Sequence, residues 1–349
     1  MRHVLRVLAG KQKEHPFKII AVTPVDPWFL TGHSQELTTL LPLKHDVGLI
    51  QSDSISTDLP ATLKALDEFQ KATPSLIQKI TDHCKYEHVS CVLSDISSLA
   101  FPVAKALGAP GFFVGNFTWA DIYRDLSPEC PALVPHLTRI EEEYSLAHSA
   151  FQLPWNTPLL PFTPSKIKSI PLIAPKPSSM TRKDWESITG RPFETKRKIV
   201  LLSFGGFDLQ SLPMDTLASL KNDFLFLTTR TLGSHTPENL IPLNSSIPDY
   251  LGLIKHADLV MTKPGYGILA DCLVEQKPVI HTERGRFAEY PVLRKFLDEQ
   301  FPSVFLSKKD FLEGNWKDAL KQALQIKKKF PSQALNGAEA VVRELELLF

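Results

Sequence analysis

The apolar positions of the chain fall into short dense runs separated by longer stretches of helical spacing. Lys18 to Thr23 (KIIAVT) is a β-branched run, and Ala61 to Lys85 then alternates apolar and polar residues as an amphipathic helix does. Ser90 to Ser94 (SCVLS) reads as the next strand, Leu99 to Leu107 as a helix stopped at Gly108, and Gly111 to Val114 as another buried strand. Strand, helix and strand in that order make a βαβ unit. Buried strands separated by helices predict a parallel sheet covered on both faces, with ligands bound beyond the carboxyl ends of its strands. Asp95 and Asn116 stand at two such ends.

The pattern breaks between Leu153 and Pro192, where Pro154, Pro158, Pro161, Pro164, Pro171, Pro175 and Pro177 exclude long helices and central strands. An interdomain connection is expected at residues 161–195, between an N-terminal unit, 1–160, and a C-terminal unit, 196–349. In the second unit Lys198 to Ser203 (KIVLLS), Phe224 to Thr228, Asp258 to Met261 and Pro278 to His281 are again short apolar runs. Helices are expected at Gly267 to Glu275, Ala288 to Leu297, Trp316 to Lys327 and Leu335 to Leu348. A second parallel sheet follows.

The length of 349 residues agrees with two compact units rather than one. With 39 basic and 38 acidic residues the formal charge is +1, which provides no overall attraction for nucleic acid. Cys84, Cys91, Cys130 and Cys272 lack CxxC or Cys/His spacing, so reduced thiols are expected rather than zinc ligands or disulfides. No apolar stretch reaches the ~18–20 residues of a membrane span, and no long apolar h-region follows Met1, so a cytoplasmic protein is expected.

Two glycine turns carry the candidate chemistry. Ser203-Phe204-Gly205-Gly206-Phe207 follows a strand directly, where backbone amides without an adjacent Cβ approach a pyrophosphate closely; a tight turn without a ligand is the alternative. The run Asp258 to Gly267 leads through Lys263, Gly265, Tyr266 and Gly267 into a helix bearing Asp271. Free N–H groups at the amino end of that helix suit a phosphate, and Asp271, about one turn inside, suits ribose hydroxyls. Asp95 is placed either to act as a general base, or to orient one, or to cap the helix after it. Trp119 and Tyr123 lie four apart on one helical face, which predicts core packing for at least one of them. His33 reads as a loop or helix-start residue, and His281 as a hydrogen-bonded residue that closes a strand of the second unit near these turns.

Asp258 to Phe296 (DLVMTKPGYGILADCLVEQKPVIHTERGRFAEYPVLRKF) resembles the C-terminal domain of GT-B glycosyltransferases. It resembles still more closely the glycosyltransferase-like region that precedes the kinase in plant L-arabinokinase. Val92 to Tyr123, Ser203 to Phe207 and Leu335 to Glu339 (LNGAE) resemble further segments of that region, in the same order. The resemblance implies an α/β protein of two Rossmann-like domains facing a cleft. Its nucleotide sugar is a substrate rather than a cofactor, and no metal is expected. By similarity to the peptidoglycan UDP-GlcNAc transferase, Ser203, Gly205 and Gly206 would contact phosphate. Asp271, six residues after Gly265, would bind ribose, with Asp where Glu is more usual. The main chain at Ile247 would read the base, with uracil favoured, and Glu289 would touch the donor sugar. Asp95, Asn116 and Trp119 would face an acceptor of unknown identity.

The spacing His3-Val4-Leu5-Arg6 resembles the end of the Gly-x-Gly-His-x-x-Arg loop that opens these folds, where the histidine lies near the reaction centre. Only Met1 and Arg2 stand before it here. The N-terminal sheet is therefore expected to lack its first strand and His3 to sit on an untethered terminus. The implied activity is sugar transfer from a UDP-sugar. A catalytically silent nucleotide-sugar-binding module and a nucleotide-sugar epimerase of the same fold are the alternatives.

Overall fold

The computed structural model describes residues 1–12, 16–26, 30, 39–51, 57–193, 196–204, 212–229, 236–243, 247 and 249–348. Gly205, Gly206 and His33 lie outside the described residues.

In the N-terminal half, helix α1 (Arg2–Lys11) precedes β1 (Ile20–Val22), β2 (Thr39–Leu41), α2 (Leu59–Cys84) and β3 (Val92–Asp95). Helix α3 (Ala100–Ala106), β4 (Gly111–Gly115), α4 (Trp119–Leu126), α5 (Val134–Ser145), β5 (Ser149–Gln152) and β6 (Ile167–Ser169) follow. The strands pair in two separate pieces, β1 with β2 and a sheet of order β3-β4-β5-β6, all parallel. Among the described residues, none pairs with the outer edge of β1 or of β3.

The C-terminal half contains α6 (Arg182–Thr189), β7 (Lys198–Ser203), α7 (Met214–Ser219), β8 (Phe224–Thr228), β9 (Leu240–Pro242), α8 (Tyr250–His256) and β10 (Leu259–Thr262). It continues with α9 (Tyr266–Val274), β11 (Val279–His281), α10 (Glu289–Gln300), β12 (Ser303–Phe305), α11 (Lys308–Glu313), α12 (Lys317–Gln325) and α13 (Gly337–Leu345). The sheet order is β12-β11-β10-β7-β8-β9, every pair parallel. Its strands alternate between two cores. Ile199, Leu201 and Val260 meet Trp185 and the helices on one face, while Val200, Leu202 and Met261 meet Phe311 and Trp316 on the other. Continuous apolar runs such as KIVLLS are what burial on both faces demands.

Three expectations need correction. Residues 161–195 are not a bare connection: β6 belongs to the N-terminal sheet, and α6 packs Trp185 into the C-terminal core. Helix α13, placed by the sequence in the C-terminal unit, returns to the N-terminal sheet and buries Val341 and Val342 with Phe112, Val114 and Phe151. His3 does not sit on an untethered terminus. It lies in α1, whose Val4, Leu5 and Leu8 at helical spacing seal against α13 and the sheet.

Candidate functional site

Strand order reverses between β7 and β10, because the chain leaves β7 toward β8 on one side and returns to β10 on the other. Such a switch point opens a crevice at the carboxyl ends of the two strands. Ser203 and Thr262 face each other there in register, and Thr262 Oγ1 donates to the Ser203 carbonyl. The Ser203 hydroxyl is held from the other side by Tyr250 Oη at 2.7 Å. Burial pushes the Tyr250 phenol up to about 12, so it stays a donor.

Helix α9 begins directly after this reversal with Gly265 as its N-cap, and no side chain caps its first amides. Neither glycine of the turn is required by strain: Gly265 is extended at φ −151°, and a Cβ at Gly267 would meet open space. Their lack of side chains keeps the helix end accessible. Asp271, further along α9, is raised to about 6 by burial; the Arg2 charge lowers it and Glu275 raises it.

Ser203, Gly267 and Asp271 line one cavity of about 1680 Å³, and His3 and Asp95 line the same cavity from the N-terminal half. Five residues singled out separately in the sequence therefore line one cavity. Asp95 does not cap α3, whose N-cap is Leu99; its carboxylate lies 3.2 Å from the amino group of Met1. Ile96 after it is held at φ 70°, a costly conformation for a β-branched residue, and Tyr144 Oη donates to its carbonyl.

The remaining candidates lie elsewhere. Asn116, at the end of β4, donates from Nδ2 to Glu289 Oε1 at 2.6 Å, joining the two halves. The other carboxylate oxygen of Glu289 accepts from Arg284, which also donates to the Pro264 carbonyl at 3.1 Å. The residues expected on acceptor and sugar sides thus bind each other. Trp119 packs between Tyr123 and Phe287 and donates from Nε1 to Asp46 at 3.2 Å, while Tyr123 is buried. The Tyr266 ring is turned against Trp155, leaving the start of α9 to its main chain. Ile247 buries its side chain in the core beneath α8. Lys263 is half-buried after β10, its carbonyl accepting from Thr262 at 3.0 Å. Sequence reasoning missed Arg2, Tyr250 and Arg284. The basic pattern around Gly285 was the only signal for the last of these.

Among the described residues no three His, Cys, Asp or Glu side chains converge as a metal site requires, and no helix is long and apolar enough to cross a membrane. His281 closes β11, buried with both ring nitrogens unpartnered among the described residues. Burial lowers both His281 and His3 from 6.5 to about 4, the latter helped by Arg2.

The unfolded chain protonates these two histidines first, so their contribution to stability is intact above about pH 6.5 and is lost as pH falls toward 4. Asp271 acts oppositely, its contribution being lost as pH rises from 3.8 through about 6. With His136 also lowered and Glu143 also raised by burial, three histidines against two carboxyls predict a urea midpoint that falls between about pH 7 and about pH 5. His281→Phe should flatten that fall, and a midpoint that rises on acidification would contradict the assignment.

No protein-family profile matches the chain. L-arabinokinase of Arabidopsis thaliana is 26% identical over 310 residues, covering 86% of this chain and 28% of that protein's length. Among solved structures, the calicheamicin glycosyltransferase CalG4 superposes with a TM-score of 0.63 at 12% identity, covering 99% of this chain and 94% of that one. The chain has the GT-B fold. An Arabidopsis thaliana GT-B structure, UGT89C1 complexed with quercetin, gives the same TM-score of 0.63 at 14% identity, over 99% of this chain and 96% of its own. The glycosyltransferase of kitacinnamycin gives 0.62 at 13%, over 99% and 91%. The GT-B arrangement places the cavity between its two Rossmann-like halves.

Proposed function

We propose that the chain binds a nucleotide sugar, a UDP-sugar foremost, in the cavity at the β7–β10 switch point. In this reading it transfers the sugar to an acceptor held by the N-terminal half. The observation that carries the reading is the convergence of Ser203, Gly267 and Asp271 with His3 and Asp95 on one cavity. The amino end of α9 and its uncapped amides receive the diphosphate and stabilise the departing nucleoside diphosphate, without a metal. Asp271, ionised above about pH 6, accepts the ribose hydroxyls. His3 is neutral at pH 7 and so has a lone pair to offer.

A second reading, a silent nucleotide-sugar-binding module, is favoured by the occupation of both Glu289 carboxylate oxygens by Asn116 and Arg284. Calorimetry with UDP and UDP-sugars, together with an assay for released UDP, tells the two apart. Removing the Asp271 carboxylate should weaken UDP binding by about 2 kcal/mol, or about thirtyfold. Equal affinity in wild type and Asp271→Ala would remove Asp271 from the site. Binding without UDP release in the presence of candidate acceptors would leave the silent module.

A further inference from the structure

The chain between β11 and α10 turns at Gly285, φ 73°, and the Arg284 side chain reaches back to the start of α9. Its Nη1 donates to the Pro264 carbonyl at 3.1 Å and lies 3.9 Å from the point that a Cβ on Gly265 would occupy. The guanidinium therefore stands beside the residue that opens α9, whose first amides no side chain caps. It is not among the residues that line the switch-point cavity. The Pro264 carbonyl, the Glu289 carboxylate, which also accepts from Nη1, and the Phe287 ring, 4.3 Å from Cζ, hold it in that withdrawn position.

Both of these hydrogen bonds leave from one nitrogen, although a guanidinium carries five N–H donors in a planar fork. Nε is buried and has no partner among the described residues. A pair serving stability alone gains most when the fork meets both carboxylate oxygens. Here the second oxygen of Glu289 goes to Asn116 Nδ2 at 2.6 Å instead. Arg284 is thus under-used where it rests, next to a helix end whose partial positive charge favours an anion. A diphosphate offers more negative charge than one carboxylate, and its oxygens match the fork.

Resting on the nucleotide reading above, we infer that Arg284 is a diphosphate-binding residue that Glu289 withholds. A diphosphate at the amino end of α9 draws the guanidinium off Glu289 and onto its own oxygens, a move that the long side chain makes by rotating about its own bonds. Glu289 keeps Asn116, so this bond between the halves survives the exchange. The carboxylate oxygen given up by Arg284 becomes an acceptor for the hydroxyls of the sugar. Binding of the diphosphate therefore prepares the carboxylate that meets the sugar, and the two groups of one donor are received in that order. The coupling is reciprocal: whatever weakens the hold of Glu289 on Arg284 strengthens the diphosphate.

Calorimetry with UDP at neutral pH, with Tm recorded for each variant, tests this exchange. Glu289→Gln removes the competing charge and should tighten UDP on the order of tenfold while lowering Tm; a merely structural glutamate would lose on both counts. Arg284→Met should weaken UDP on the order of tenfold, and in its background Glu289→Gln should no longer tighten UDP. If Arg284→Met fails to fold, Arg284→Gln, which can still donate to the Pro264 carbonyl, takes its place. Arg286→Ala controls for general loosening, because Arg286 joins the halves through the Asp125 carbonyl at 2.8 Å and through Glu129; it should leave UDP affinity unchanged. Unchanged or weaker binding in Glu289→Gln, tightening that persists without Arg284, or equal tightening in Arg286→Ala would each overturn the proposal. UDP binding that ignores Glu289 and Arg284 but is weakened by Asp271→Ala would overturn it and leave the nucleotide reading standing. No UDP binding by either wild type or Glu289→Gln would overturn both.

Discussion

Glu289→Ala is expected to lower stability by about 3–5 kcal/mol, towards the lower end because Arg284 keeps the Pro264 carbonyl as a partner. The Glu289 side chain is 2% exposed and that of its partner Arg284 is 18% exposed. Removing the carboxylate therefore strands a guanidinium that water reaches poorly, and it also deprives Asn116 of its acceptor. Thermal unfolding should drop by roughly 8 °C at about 2 °C per kcal/mol for a chain of this size. Glu289→Gln should fall between, because its amide oxygen still accepts from Asn116 while its NH₂ opposes Arg284. A variant with the wild-type midpoint would show that the network contributes nothing net.

Gly337→Ala should cost about 3 kcal/mol, the upper part of the range for a side chain forced into packed space. The added Cβ would lie 2.2 Å from the Pro171 carbonyl oxygen and 2.9 Å from the Ile173 nitrogen. Both neighbours are main chain, so neither can rotate away, and the hydrogen bond from Gly337 N to the Leu172 carbonyl must lengthen from 3.1 Å. Helix α13 would lose its seat, and proteolysis near residue 337 together with the denaturation midpoint would report it. Gly267→Ala is the matched control, because its Cβ meets nothing within 4 Å. It should leave stability unchanged while impeding a phosphate at the start of α9. Equal loss of stability in the two variants would discredit the steric argument.

Much of the fold was legible in the chain because burial on both faces leaves a continuous apolar signature. The runs KIVLLS and FLFLT coincide with β7 and β8 for that reason. Strands at sheet margins were not legible. Strand β6 is three residues long and half-exposed or exposed throughout, and nothing in its composition separates it from the prolines around it. Helix α6 carried a readable start, Thr181 with Asp184 in a reciprocal capping box, but proline density outweighed it. Helix α1 was masked by a resemblance: His3 to Arg6 suggested a loop, while Val4, Leu5 and Leu8 already had helical spacing.

The site divides in the same way. Ser203, Gly265 and Asp271 stand in local patterns, strand, turn and helix, that a sequence displays directly. The bond between Asn116 and Glu289 joins residues 173 positions apart, and no local pattern announces such a contact. The partnership of Met1 with Asp95 depends likewise on where α1 comes to rest.

The polypeptide passes between the halves twice, outward near Leu172 and back near Asn336, and the two passages are fastened together. Leu172 N donates to the Ala334 carbonyl at 3.0 Å, and Ile173 bridges Asn336 in antiparallel fashion. A lone tether would act as a ball joint, free to swing and twist. Two threads stitched side by side act as the pin of a door, which permits rotation about one line and resists torsion. Whatever separates Asn116 from Glu289 must then do so along one arc. Halves pinned in this way would come back to one alignment after any separation, because the pin leaves them no other path.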